Sequence, residues 1–104
     1  MKSILQNDPA RCWLCGRYGT SADPLDTHHV FFGPYRSKSE RYGLTVKLHH
    51  FTCHIYDRGA VHANKAVCRE LQAEAQKAAM NEYGWTTEEF IRVFGRNYVT
   101  EDGA

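Results

Sequence analysis

The chain has 104 residues and a formal net charge of +1, with 42% hydrophobic and 24% charged residues. This length and composition predict a single soluble globular domain, residues 1–104, with one modest core. No run of about 18 or more apolar residues exists, which excludes a membrane-spanning helix.

The first eight residues lack the apolar core of a signal peptide, so we expect a cytoplasmic protein. Thiols are kept reduced in that compartment. The four cysteines are therefore expected to be metal ligands or free thiols rather than disulfides.

The first motif along the chain is RCWLCGR, residues 11–17. Two thiols separated by two residues, Cys12 and Cys15, can hold one metal ion from a tight turn, and Gly16 permits the positive φ that such turns use. The alternatives are a redox pair and two buried apolar cysteines, but no βαβ pattern surrounds the motif. We interpret it as half of a zinc site.

Two strands are predicted next, over residues 27–32 and 44–48. The first is rich in β-branched and aromatic residues, and the second alternates apolar and polar residues. The polar, basic segment 35–42 is expected to be an exposed loop, so the strands form an irregular hairpin. A helix could begin at residue 50 and continue to residue 56, before Asp57-Arg58-Gly59 interrupts it.

A long helix is predicted from residue 61 or 64 to residue 82, because apolar side chains recur there at spacings of three and four. Cys68 lies beside Val67 on this apolar stripe and is most simply a buried thiol. Gly84 suits the end of the helix.

A capping box over residues 86–89 opens a last helix, in which Phe90, Ile91 and Phe94 should pack inward. Gly95 ends this helix. We expect residues 98–99 to dock back on the domain and residues 101–104 to be frayed.

A second ligand pair, His50 and Cys53, follows the second predicted strand. With Cys12 and Cys15 it makes a four-ligand structural zinc site, because closed tetrahedral sites accept both thiolate and imidazole. His49 competes with His50 for this place, and strand alternation turns one of the two away from the site. Such a site would add directly to the folding free energy of a small domain.

All six histidines lie within residues 28–62. Imidazole binds metals and titrates near neutrality, so this grouping indicates metal binding, proton transfer or both. Since adjacent strand residues face opposite sides, His28 and His29 cannot share one role. His54 directly follows Cys53, and His62 could return to the same ion as His54.

The order of these motifs resembles the HNH endonucleases of the ββα-metal class, over about residues 12–62. Residues 60–64 and 89–98 are also similar to small HNH proteins encoded by phages and prophages. The resemblance implies an α+β fold with a ββα-metal core of hairpin and helix, residues 12–62, stapled by a structural zinc knuckle. A long helix and a short C-terminal helix over residues 63–98 and a tail over residues 99–104 would follow.

By position, the resemblance implies that His28, His54 and His62 hold one catalytic divalent metal, Zn²⁺, Mn²⁺, Ni²⁺ or Mg²⁺. It implies that His29 is the general base. The cofactors are then this metal and the structural Zn²⁺.

The family's middle asparagine, which orients the loop that carries the base, has no counterpart between His29 and His54. Thr45 or a residue near Arg41 could replace it. This departure concerns the efficiency of catalysis more than the fold.

The function that the resemblance implies is a metal-dependent DNA endonuclease or nickase with duplex DNA as its partner. Residues 1–69 carry ten Lys/Arg and five Asp/Glu, which suits a polyanionic ligand. Four basic residues are candidates for phosphate contacts, although each could equally belong to a solvated loop: Arg36, Lys38, Arg41 and Arg58.

Two alternatives remain open. The first is a non-catalytic, zinc-stabilised module that binds nucleic acid or protein. The second is a single-zinc hydrolase of a small substrate, which ranks lower because no H-E-x-x-H motif accompanies the histidines.

Overall fold

Two short antiparallel strands lie at the centre of the fold, in a computed structural model that describes residues 2–55 and 57–99. Strand β1 is Leu25–His29 and strand β2 is Thr45–His49; Leu25 pairs with His49, and His29 pairs with Thr45. With the helices described below, the described residues form a small α+β unit.

Strand β1 ends at His29, earlier than predicted, because the chain then bends away from β2. Val30 still donates its backbone N–H to the carbonyl of Leu44 at 3.1 Å. Phe31 turns to Ser39, whose Oγ accepts from the Phe31 N–H at 3.0 Å and donates to the Phe31 carbonyl at 2.7 Å. Val30 and Phe31 therefore enter the core rather than extend the sheet.

The segment between the strands is helical, so the prediction of a loop over residues 35–42 is wrong. A 3₁₀ turn, Gly33–Tyr35, leads into helix α1, Arg36–Arg41. Ser39 is the one buried residue of α1, and it is polar. No apolar periodicity marks this helix, which explains why the sequence pattern missed it.

A π-helical segment, His50–Ile55, follows β2 directly, where a helix was predicted. Residue 56, the last of that prediction, lies outside the described residues, as do residues 101–104, for which fraying was expected.

Helix α2, Lys65–Tyr83, confirms the predicted long helix. The Asn64 side chain caps its N-terminus by accepting from the N–H groups of Ala66 and Val67, and Gly84 ends it in the left-handed conformation. Cys68 is half-buried against the core. Over residues 2–55 and 57–99, no helix is both long enough and apolar enough to cross a membrane.

Helix α3, Thr87–Phe94, begins with the predicted capping box between Thr86 and Glu89. Phe90 and Phe94 are fully buried, whereas Ile91 is only half-buried.

The aromatic centre of the core joins the hairpin to the C-terminal part of the chain. The ring of Phe31 lies 5.5 Å from Phe90, 4.7 Å from Phe94 and 4.8 Å from Tyr98. The buried Gln76 of α2 accepts from the Tyr98 backbone N–H at 2.6 Å. Tyr98 thus docks on the domain as predicted.

The two glycines that end α2 and α3 offer a matched test of this packing. Gly84 and Gly95 have φ of +67° and +86°, but an added Cβ would meet nothing at Gly84 and would collide with the Tyr35 hydroxyl at Gly95. We expect Gly84→Ala to lower the free energy of unfolding by about 1 to 2 kcal/mol, the cost of the left-handed conformation. Gly95→Ala should lower it by about 1 kcal/mol more, because Tyr35 must move.

Urea unfolding of both variants at a fixed zinc concentration would measure the difference. Equal losses would show that Tyr35 does not pack against the end of α3 as described.

Candidate metal centre

Four potential metal ligands converge beside the end of β2. We call Cys12, Cys15, His49 and Cys53 the cysteine cluster; their ligand atoms all lie within 4.8 Å of one another. A metal ion could therefore be held there, as expected for a structural zinc.

A tight turn presents the first two thiols. Gly16 donates its N–H to the Cys12 carbonyl at 2.9 Å and has a φ of +77°. Trp13 donates its N–H to the Lys47 carbonyl at 2.7 Å, which fastens the turn to β2. The turn is thus held against the strand that ends in His49.

The distances within the cysteine cluster fit a tetrahedral zinc. His49 Nδ1 lies 3.3 Å from Cys15 Sγ and 3.9 Å from Cys53 Sγ. Two ligands of one zinc lie about 3.3 to 3.8 Å apart, given Zn–N bonds of about 2.0 Å and Zn–S bonds of about 2.3 Å. His49 Nε2 lies 2.9 Å from the Tyr18 carbonyl, which can only accept. Nε2 therefore carries the proton, and the lone pair of Nδ1 faces the thiols.

His49 occupies the place that the sequence assigned to His50, so that assignment is wrong. His50 Nδ1 lies instead 2.5 Å from Asp26 Oδ2. In the π-helical turn after β2, residues four apart lie on the same side of the backbone. The ligand pair is therefore His49 and Cys53, with the spacing H-x-x-x-C, rather than His50 and Cys53. The sequence alone leaves His49 as the alternative ligand, and the structure selects it.

Burial and hydrogen bonding act in opposite directions on the thiols. Burial raises the pKa of Cys12, but hydrogen bonds from the backbone N–H groups of Cys15, His49 and Leu14 outweigh it and lower that pKa to about 7. Burial and the neighbouring Cys12 raise the pKa of Cys53 to about 12. Cys12 is therefore more readily deprotonated than Cys53, and a metal bound to the cluster must displace the proton of Cys53.

A second group, His28, His54 and His62, lies beside the first. The ligand nitrogens of this histidine cluster also lie within 4.8 Å of one another. His28 Nδ1 is 3.2 Å from His54 Nε2, a distance that suits either a hydrogen bond or two ligands of one metal. His62 is held close because its backbone N–H donates to the His54 carbonyl at 2.9 Å.

Two members of the histidine cluster, His28 and His62, have lowered pKa values. His28 is only 2% exposed, and its Nε2 has no hydrogen-bond partner among the described residues. Burial, followed by the nearby His54, His62 and His29, lowers the pKa of His28 to about 3. Burial and His54 also lower the pKa of His62. Neutral imidazoles keep the lone pairs that a metal ligand needs, so these residues fit a divalent transition metal.

The neighbouring His29 lies in a different environment. Its Nε2 is 3.6 Å from Glu40 Oε2 on α1. Burial and Arg36 lower the pKa of His29, while Glu40 raises it in part. An open cleft at this point is lined by His29, Gly33, Pro34, Arg36, Ser37 and Glu40.

A residue near Arg41 was one candidate to replace the family's missing asparagine. Glu40, which directly precedes Arg41, is the residue of that segment that contacts His29. Thr45, the other candidate for the missing asparagine, lies across from His29 in the sheet register, and its carbonyl accepts from the Ser3 hydroxyl at 2.5 Å. Sequence reasoning did not single out Glu40, because helix α1, which carries it, was itself missed.

The four basic residues predicted to contact phosphate differ in their contacts and in their position relative to the cleft at His29. Arg36 is exposed and lines the cleft with His29. Lys38 Nζ donates instead to the Val93 carbonyl at 2.9 Å and lies over the Tyr35 ring. Arg41 and Arg58 are exposed and are not among the residues that line that cleft.

Asp26 is a second acidic residue that the sequence pattern left without a role. Its Oδ2 contacts two histidine rings, His50 and His54. The sequence does contain a signal for this contact. Asp26 and His28 are two residues apart on a strand, so their side chains share one face of the sheet.

Comparison with protein-family models, with curated proteins and with solved structures finds no match to this chain. The geometry of the two clusters and the order of their motifs are therefore the features that indicate a function.

The assignment of His49 can be tested by substitution of each neighbouring histidine. We expect His49→Ala to lose the metal of the cysteine cluster, because a buried ligand disappears, and His50→Ala to retain it. Co²⁺ substitution followed by thiolate-to-cobalt charge-transfer absorption would report this cluster separately from the imidazoles. Loss of that absorption in His50→Ala but not in His49→Ala would restore the original assignment.

Zinc binding to the cysteine cluster should weaken as the pH falls. Cys53, with a pKa raised to about 12, must release a proton at any ordinary pH, and Cys12, with a pKa of about 7, must release one below that value. Zinc affinity should fall roughly tenfold per pH unit for each displaced proton, so the fall steepens below about pH 7.

Competition with a chromophoric chelator at a series of pH values would measure this dependence. Cys68→Ala removes a thiol outside the cluster and should give the same curve. A zinc affinity that does not change with pH would contradict ligation by these thiols.

Proposed function

We propose that this protein is a metal-dependent DNA endonuclease or nickase of the HNH type. In this proposal, the histidine cluster holds the catalytic metal, His29 is the general base, and the cysteine cluster holds a structural zinc. The observation that carries the proposal is the group of three close imidazoles whose buried member, His28, directly precedes His29 on β1.

The environment of the histidine cluster supports the metal assignment. Burial favours the neutral forms of His28 and His62, whose lone pairs can bind a metal, and the buried His28 Nε2 has no partner among the described residues. A divalent metal bound there would stabilise the negative charge that develops on a phosphate during cleavage. The three side chains would come from β1, the π-helical segment and the loop before α2, which fixes their relative positions.

His29 has the properties of a general base. The lowered pKa keeps its imidazole neutral at neutral pH, so it can take a proton from an attacking water. Glu40, at 3.6 Å from Nε2, would stabilise the imidazolium that forms. The Glu40 side chain is about half exposed, and solvent screening therefore keeps this contribution modest.

Arg36 supports a polyanionic substrate at the same cleft. Its exposed guanidinium can bind a phosphate oxygen beside His29. Contacts of this kind position DNA without reading its sequence, so low sequence specificity is expected.

One observation favours the alternative of a non-catalytic, zinc-stabilised binding module. The carboxylate of Glu40 lines the cleft beside His29, and its negative charge opposes the approach of a phosphate. A structural metal in the cysteine cluster would stabilise the fold in either case. Activity and metal content together decide between the two functions.

Zinc-loaded protein should nick supercoiled plasmid when Mg²⁺, Mn²⁺, Ni²⁺ or Zn²⁺ is added, and EDTA should stop the reaction. His29→Ala should lower the nicking rate about 10²- to 10⁴-fold, the usual contribution of a general base. Arg36→Ala should weaken the reaction through substrate binding. Arg69→Ala, which removes an arginine from α2, is the matched control and should leave the rate unchanged.

Nicking by His29→Ala at the wild-type rate would refute the assignment of the base. If folded wild-type protein with its structural zinc cuts with none of the metals, the nuclease proposal fails and the binding module takes its place.

A further inference from the structure

Asp26 lies between two histidine rings. Its Oδ2 is 2.5 Å from His50 Nδ1 and 2.8 Å from His54 Nδ1. A carboxylate can only accept, so both rings donate their Nδ1–H to it. In a neutral imidazole, this places the lone pair on Nε2.

The strand register brings Asp26 to the histidine cluster. Asp26 pairs with Leu48 and His28 pairs with Val46, so both side chains lie on one face of β1. His54 spans the gap between them, with Nδ1 on Asp26 and with Nε2 at 3.2 Å from His28 Nδ1.

The distances show whether Asp26 is a hydrogen-bonded carboxylate or a ligand of a third metal site. The ligand atoms of Asp26, His50 and His54 also lie within 4.8 Å of one another. However, both distances are short enough for hydrogen bonds, whereas two ligands of one zinc lie about 3.3 Å apart. Asp26 is therefore a hydrogen-bond partner of His54 rather than a metal ligand.

We propose that Asp26 is the positioning residue of the histidine cluster, and this inference rests on the metal site of the proposed function. Its carboxylate holds the ring proton of His54 on Nδ1 and directs the Nε2 lone pair toward His28 and His62. A carboxylate behind a ligating histidine fixes its tautomer and orientation and raises its basicity.

The π-helical segment gives this arrangement a link to the cysteine cluster. His49 and Cys53 contribute to the cysteine cluster, and their next neighbours, His50 and His54, both donate to Asp26. Two pairs of residues with a spacing of four thus have different partners: His49 and Cys53 lie in the cysteine cluster, and His50 and His54 contact Asp26. The cysteine cluster fixes the backbone, and Asp26 fixes the rings.

The tautomer of His54 tests the inference without a measurement of enzymatic activity. Long-range ¹H–¹⁵N NMR of the full chain, with zinc in the cysteine cluster only, should show His54 protonated on Nδ1. In Asp26→Ala, the proton should shift toward Nε2, and Asp26→Asn should lie between the two, because its amide oxygen still accepts. A wild-type His54 protonated on Nε2 would overturn the proposal.

Metal titration provides the second measurement. Mn²⁺ or Co²⁺ affinity of the histidine cluster should fall about 10- to 100-fold in Asp26→Ala, as is usual when the partner of a ligating histidine is removed. Asp23→Ala is the matched control, because Asp23 accepts from Phe51 N–H and Thr52 Oγ1 at 2.7 Å each, and neither donor is a histidine ring. It should leave the tautomer and the affinity unchanged.

Equal losses in Asp23→Ala and Asp26→Ala would show a merely structural effect and overturn the proposal. Zinc content of the cysteine cluster, measured in each variant, identifies any that fail to fold; Asp26→Asn then carries the test. Wild-type protein that binds no metal at the histidine cluster would refute the proposed function, while the tautomer of His54 would still decide the role of Asp26.

Discussion

The architecture of the site depends on how the π-helical turn after β2 is held. This turn carries Cys53 of the cysteine cluster and follows directly on His49, another potential ligand, which ends β2. It also carries His50 and His54, which both contact Asp26. In a domain of 104 residues, whose whole stability is expected to be about 5 to 15 kcal/mol, zinc binding at about 10 to 16 kcal/mol would be a dominant contribution. A metal in the cysteine cluster would therefore fix the turn that carries His54 of the histidine cluster.

Cys12 and His28 are both buried, but their surroundings favour opposite charge states. Around Cys12, backbone N–H groups overcome the cost of burial and favour a thiolate. Around His28, burial together with the other imidazoles keeps the ring neutral. Thiolate ligands suit a structural zinc, and neutral imidazoles suit several divalent transition metals. The proposed division into a structural and a catalytic site follows from this difference as much as from motif order.

Periodicity predicted the C-terminal half of the fold well and the site only in part. Helices α2 and α3 carry apolar stripes, an Asn or Thr cap and a terminal glycine, all of which are local signals. Helix α1 carries none of these, because its single buried side chain is the hydroxyl of Ser39. The choice between His49 and His50 depended on where β2 stops and the turn begins, and one residue at that boundary reverses which ring faces the thiols.

Ligand spacing did not identify Glu40 or Asp26, since the proposed function makes neither of them a metal ligand. Each stands behind a histidine with a different proposed role, Glu40 near the exposed cleft at His29 and Asp26 behind His54. The two contacts differ in strength in the way those roles require. A direct hydrogen bond at 2.8 Å would fix one proton on His54, as the proposed metal ligand needs, whereas the looser 3.6 Å contact would leave His29 able to gain and lose a proton, as the proposed base needs. Two acidic residues of the same chemistry would thus give one histidine a fixed tautomer and the other a variable charge.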